Sequence, residues 1–95
     1  MRLLHIAGSP RGARSRSLDV AARFLDRLEG ADVETLDLWA TDLPELDGAM
    51  LESRYRLING QAVERGFEER WAELRARVDH LLSFDLWLFT VPMWN

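Results

Sequence analysis

The chain has 95 residues, 47% of them hydrophobic, and a formal net charge of −4, which suits one small domain with a core of its own. The negative balance argues against a nucleic-acid binder, which needs a net basic surface to neutralise phosphates. The absence of cysteine excludes disulfides, thiolate metal sites and a cysteine nucleophile.

Lysine is absent as well, and all 12 basic residues are arginine, which reads as nucleotide-composition bias rather than function. Leu3 to Ala7 forms a short apolar run that reads as a buried strand ended by Gly8. His5 within it has no second histidine or carboxylate at metal spacing and reads as a packed core residue. The run is too short for a signal peptide, and no stretch approaches the ~20 apolar residues of a membrane span. The expectation is a soluble, cytoplasmic chain without a membrane or nucleic-acid partner.

From Leu18 the apolar residues fall at Leu18, Ala21, Ala22, Leu25 and Leu28, which is helix period. Ser15 or Ser17 can cap this helix, Asp19 lies in its first turn, and Gly30 is placed to end it. Val33 to Trp39 reads as a second strand, its mixed polarity suiting a sheet edge. "ATDLPELDGA" follows as loop, with Pro44 and Asp47-Gly48 as its signals. Residues 49 to 62 match no template, and Asn59-Gly60 is turn chemistry. Val63, Phe67, Trp71, Leu74, Val78 and Leu81 or Leu82 recur at helical steps, predicting a second helix whose aromatic stripe is core packing. "DLWLFTV" then reads as a third strand, apolar in an unbroken run as in a strand covered on both faces.

Strands alternating with helices imply right-handed crossovers and a parallel sheet. The apolar first and third strands and the more polar second predict the order 2-1-3. The most hydrophobic strand would then lie at an open edge, an aggregation hazard that further strands would remove. Residues 1 to 95 are therefore expected to be the N-terminal portion of a larger domain, truncated after its third strand.

"GSPRGARSRS", residues 8 to 17, links the first strand to the helix, where α/β sheets bind anions at the positive helix N-terminus. Ser9, Ser15 and Ser17 offer hydroxyls, and Arg11, Arg14 and Arg16 offer positive potential. A solvated loop with a serine cap explains the same residues by itself, but the place after the first strand favours a phosphate. A dinucleotide fingerprint would need G-x-G-x-x-G, and only Gly8 and Gly12 stand here. A triphosphate loop would need a lysine, and a phosphatase loop a cysteine. A serine-rich monophosphate loop remains, of the kind flavodoxin-like folds use for FMN.

Three pieces sharpen this into a family resemblance. They are Ser9 followed after five residues by Ser15-Arg16-Ser17, then "DLWATDLPELDG" at 37 to 48, and "VPMWN" at 91 to 95. In order and spacing the chain resembles the N-terminal half of the FMN-dependent NADH azoreductase and NAD(P)H quinone oxidoreductase family. The resemblance implies a flavodoxin-like parallel sheet with helices on both faces. It implies that Ser9, Ser15, Arg16 and Ser17 hold the FMN phosphate, and that Pro92, Met93, Trp94 and Asn95 form the turn that edges the isoalloxazine ring. Pro92 biases Val91 toward extended backbone, so the strand runs straight into that turn. The family's commoner aromatic is tyrosine, so Trp94 keeps the stacking surface without a phenol hydrogen bond. Arg11 and Arg14 match no family role.

The resemblance further implies hydride transfer from NADH or NADPH through flavin to quinones and azo compounds, in a homodimer. The cofactor carries such chemistry, which accords with a chain lacking a Ser-His-Asp set, paired catalytic carboxylates or a metal site. Asp47 beside Gly48 reads as turn chemistry, and no catalytic acid or base is assigned. The competing readings are a flavodoxin-type electron carrier and an inactive truncated fragment. Turnover of NADH with a soluble quinone separates them.

Overall fold

A computed structural model describes residues 1–92 of the chain. Three strands, β1 (Arg2–Ala7), β2 (Asp32–Asp37) and β3 (Leu86–Thr90), alternate with three helices, α1 (Arg16–Asp26), α2 (Gly48–Ile58) and α3 (Phe67–Leu82). The strands form one parallel sheet in the order β2-β1-β3, as the polarity of the three runs predicts. The fold is flavodoxin-like in its described part. Residues 1–42 with the segment from Leu82 onward form one compact unit, and Leu43–Leu81 form a second.

In the first unit, β1 is central and carries the core. Leu3, Leu4 and Ala7 are buried, with Leu4 fully so, and Leu36 of β2, Ala21 of α1 and Phe84 join them. Consecutive strand residues point to opposite faces, so burial of both Leu3 and Leu4 requires cover on both sides of β1. Each such leucine stabilises the fold by roughly 1.5–3 kcal/mol. The start of β1 is tied to the turn before β3 through Arg2. Its backbone N–H donates to Asp85 Oδ2 at 2.7 Å, its Nη1 to the carbonyl and Oγ of Ser83 at 3.0 Å, and its guanidinium lies 4.3 Å over the Phe84 ring.

The first unit differs from the sequence reading in the bounds of α1 and β2, the latter ending at Asp37 rather than Trp39, and in the cover of β3. Helix α1 closes at Asp26 with Arg27 as its C-cap, whose N–H bonds back to Phe24 and Leu25; Gly30 instead serves the turn into β2, with φ of +73°. β3 is not covered on both faces: Leu86, Trp87, Phe89 and Val91 are exposed, Phe89 at 58%. The strand lies at the sheet edge, with no neighbour on its outer side among the described residues. β2 is the other edge, and its mixed polarity fits: only Leu36 of it is buried.

The second unit contains a helix the sequence did not reveal. Asp47 caps α2, its side chain accepting the Met50 N–H at 2.9 Å, and Asn59 closes it with Gly60 beyond at φ +70°. The residues read as two separate turns are the two ends of one helix. α3 begins at Phe67 rather than Val63, because Gly66 at φ +85° interrupts the backbone just before it. Phe67 is buried, and its ring stacks on Trp71 at 5.9 Å.

Candidate functional site

β1 lies between β2 and β3: the first crossover leads from β1 to β2 on one side, and the second returns past β1 to β3 on the other. The gap between the carboxyl ends of β1 and β3 is the switch point where open α/β sheets bind ligands. Gly8, the first residue past β1, is gripped there from both sides. Its N–H donates to the Thr90 carbonyl at 2.8 Å, and its own carbonyl accepts from Trp39 Nε1 at 2.8 Å. A Cβ on Gly8 would lie 2.9 Å from the Thr90 carbonyl oxygen, so only glycine lets β1 and β3 approach this closely.

From Gly8 the chain turns through Ser9 and a single 3-10 turn at Gly12–Arg14 into α1. Gly12 adopts φ +56°, a left-handed value that disfavours other residues. Ser15 is the N-cap: its Oγ accepts the Leu18 N–H at 3.2 Å, and its carbonyl accepts the Asp19 N–H at 3.2 Å. The N–H groups of Arg16 and Ser17 have no acceptor within the helix and sit at its positive end. Ser15 Oγ and Ser17 Oγ are 3.0 Å apart, and Ser9 Oγ accepts the Arg11 N–H at 3.4 Å. Ser9 and Ser15 are buried, whereas Arg16 is exposed and free to swing over the loop.

These groups converge on an open cleft of about 400 Å³ lined by Ser9, Arg11, Ser15, Arg16 and Ser17, with Val91 and Pro92 closing it from the end of β3. The donor set is hydroxyls, helix N–H groups and guanidinium, with no carboxylate among the lining residues. Such a set favours an anion and disfavours a cation. Beneath it, His5 Nε2 is hydrogen-bonded to Thr90 Oγ1, a bond joining β1 to β3 inside the core. Burial holds the His5 pKa below its usual value, favouring the neutral ring.

The structure thus brings Ser9, Ser15, Arg16, Ser17 and Pro92 into one cleft, while Met93, Trp94 and Asn95 lie outside the described residues. Arg11 also lines it; Arg14 is exposed and does not. Sequence reasoning missed Val91 as a wall and Trp39 as the partner of Gly8. In the sequence Trp39 reads as the end of a strand and as part of the 37–48 piece, and nothing local marks its long-range bond. Asp47 is a helix cap, held by the Met50 N–H and by Arg70 at 3.0 Å, and these bonds lower its pKa. A carboxylate so held is a poor proton donor. Among the described residues no group of histidines and carboxylates is placed to hold a metal ion, and no helix is long and apolar enough to cross a membrane.

Comparison with known proteins agrees with this architecture. The FMN-dependent NADH:quinone oxidoreductase 3 of Pseudomonas fluorescens is 42% identical over 98 residues, covering 99% of this chain and 45% of that protein. The FMN-dependent NADH:quinone oxidoreductase 2 of Pseudomonas syringae pv. tomato is 39% identical over 99 residues, covering 100% and 47%. The chain spans about half the length of the curated relatives it matches. A crystal structure of an FMN-dependent NADH-azoreductase from Bacillus anthracis in complex with FMN superposes with a TM-score of 0.81 at 20% identity, over 100% of this chain and 49% of that one. The family model described as Flavodoxin-like fold matches residues 1–95, and the chain belongs to that family.

Proposed function

We propose that residues 1–95 are the N-terminal portion of a single FMN-binding domain. The full protein is then an FMN-dependent oxidoreductase that takes hydride from NADH or NADPH and delivers electrons to quinones, with reductive cleavage of azo compounds as its second activity. The observation that carries this reading is the convergence of Ser9, Ser15, Ser17 and Arg16 on the N-terminus of α1, beside the end of β3. The names of the relatives support the same chemistry. The exposed apolar edge of β3 supports the reading of an incomplete sheet.

The residues fit a dianionic monophosphate. Ser15 Oγ accepts from Leu18 N–H and shares a hydrogen bond of 3.0 Å with Ser17 Oγ, so one of the two hydroxyl protons stays free to donate to the anion while that bond is kept. The N–H groups of the first turn neutralise charge along the helix axis, and Arg16 contributes a paired guanidinium contact. FMN, when bound, supplies the two-electron redox chemistry, so the protein needs no nucleophile. Pro92 stands at the cleft, and Met93, Trp94 and Asn95, outside the described residues, are the proposed contacts to the flavin ring. The assembly is a cytoplasmic homodimer.

The test is steady-state kinetics of the full protein with NADH and a soluble quinone, alongside FMN titration. Parallel double-reciprocal lines are expected, because both substrates use one flavin face, and intersecting lines would reject the shared site. A Ser15→Ala, Ser17→Ala double variant should bind FMN about ten- to a hundredfold more weakly. Unchanged FMN affinity would reject the phosphate site.

A further inference from the structure

We infer that Trp39 is a positioning residue for the anion site, acting through the Gly8–Ser9 peptide; the inference rests on the phosphate reading of the cleft. Trp39 does not line the cleft. It lies two residues beyond β2, where Leu38 N–H donates to the Ala7 carbonyl at 3.1 Å and continues the β1–β2 ladder one step past Asp37. Asp37 Oδ1 then accepts the Trp39 backbone N–H at 3.0 Å, and this turn swings the indole back toward β1. Its Nε1 donates to the Gly8 carbonyl at 2.8 Å, although the side chain is otherwise 62% exposed.

An exposed tryptophan needs no partner for its N–H, because water can serve it. Here the bond falls on the carbonyl that begins the anion loop. A trans peptide is planar, with its C=O and the following N–H pointing in opposite directions. Fixing the Gly8 oxygen toward Trp39 therefore directs the Ser9 N–H away from the indole. It also fixes the backbone from which the Ser9 side chain enters the cleft. The Gly8 N–H is held by Thr90 on the other side, so Trp39 restrains the remaining rotation of the unit. Pre-set donors bind an anion more tightly than donors that must be ordered on binding.

The experiment is a titration of the full, flavin-free protein with inorganic phosphate, followed by backbone and indole N–H signals in nitrogen-labelled protein. In the parent, phosphate should shift the Ser9, Ser15, Arg16 and Ser17 amides. Trp39→Phe should weaken phosphate about three- to tenfold, the range of one lost neutral hydrogen bond, while the β1 and β3 amides stay protected. Trp39→His, which retains a ring N–H, should recover part of the loss. Equal phosphate affinity in parent and Trp39→Phe would overturn the role of Trp39 and leave the phosphate reading standing. No phosphate-dependent shift in the parent loop would overturn the phosphate reading and the inference with it. Loss of sheet protection in Trp39→Phe, without recovery of phosphate affinity in Trp39→His, would make the residue a fold contact and also overturn the inference.

Discussion

His5 and Thr90 are hydrogen-bonded to each other across the β1–β3 pair, both of them buried. Thr90 is also the residue whose carbonyl holds Gly8, so one residue of β3 secures both the core and the start of the anion loop. Because burial lowers the folded-state pKa of His5, the unfolded chain binds a proton more readily than the folded one. The stabilising contribution of neutral His5 is present above the unfolded value, about 6.5, and is lost as pH falls below it toward the lower folded value. Thermal melts should show the midpoint falling between about pH 7 and pH 5.5. In His5→Gln that part of the slope should vanish, whatever the variant's own stability. A slope unchanged by the substitution would remove His5 as its source.

Gly8→Ala places a methyl group against the Thr90 carbonyl, which lies in backbone and has little room to give. Urea unfolding should show a loss of about 1–3 kcal/mol, the usual cost of forcing atoms into a packed site. Ligand affinity should fall with it, since the loop starts from this residue.

The serines of the loop separate two roles. Ser15→Ala removes the cap of α1 and should lower stability by about 1 kcal/mol, in addition to weakening anion binding. Ser17→Ala, at the second residue of the helix, should weaken anion binding with little change in the unfolding midpoint. Equal stability losses in the two variants would contradict the capping assignment.

How much of this could be read from the residues varies with how local the signal is. A serine cap at Ser15 or Ser17, the three strands and the strand order follow from adjacent side chains and polarity, and these are legible; that Ser15 is the cap is not. Helix α2 was not, because its apolar residues do not mark its buried face. Met50 and Ser53 are buried, while Leu51, Tyr55, Leu57 and Ile58 are exposed. With no stripe to follow, Asp47-Gly48 and Asn59-Gly60 looked like two turns. The cleft residues were legible as a loop with a spacing, but the grip of Trp39 on Gly8 spans 31 positions and leaves no local trace.

Asp47 offers a check on that second unit. Its pKa is lowered by the Met50 N–H first and by Arg70 after it, so it stabilises the unit above the ordinary carboxylate range and that help is lost on acidification. Asp47→Asn keeps a capping side chain but gives up the charge. The variant should unfold with a shallower dependence on pH below about 4 than the parent, read by circular dichroism.

The outer edge of β3 predicts the behaviour of the isolated chain. Exposed Leu86, Trp87, Phe89 and Val91 on a strand that has no outer neighbour among the described residues favour pairing with another chain. Sizing chromatography should show self-association that Phe89→Lys reduces, and flavin fluorescence should show weak FMN binding or none. A sharp-melting monomer with micromolar FMN affinity would contradict both expectations.

The double grip on Gly8 also bears on the order of events in folding. Trp39 reaches Gly8 only after the first crossover is complete, and Thr90 reaches it from 82 residues away, after the second. Contacts of such separation are costly to close, because the intervening chain must lose its freedom. The final shape of the loop therefore requires both crossovers to be closed, although the loop lies near the start of the chain. On the proposed reading, a phosphate bound there would recognise the finished sheet and not the β1–α1 unit alone, so its binding energy would add to the cooperativity of the whole unit.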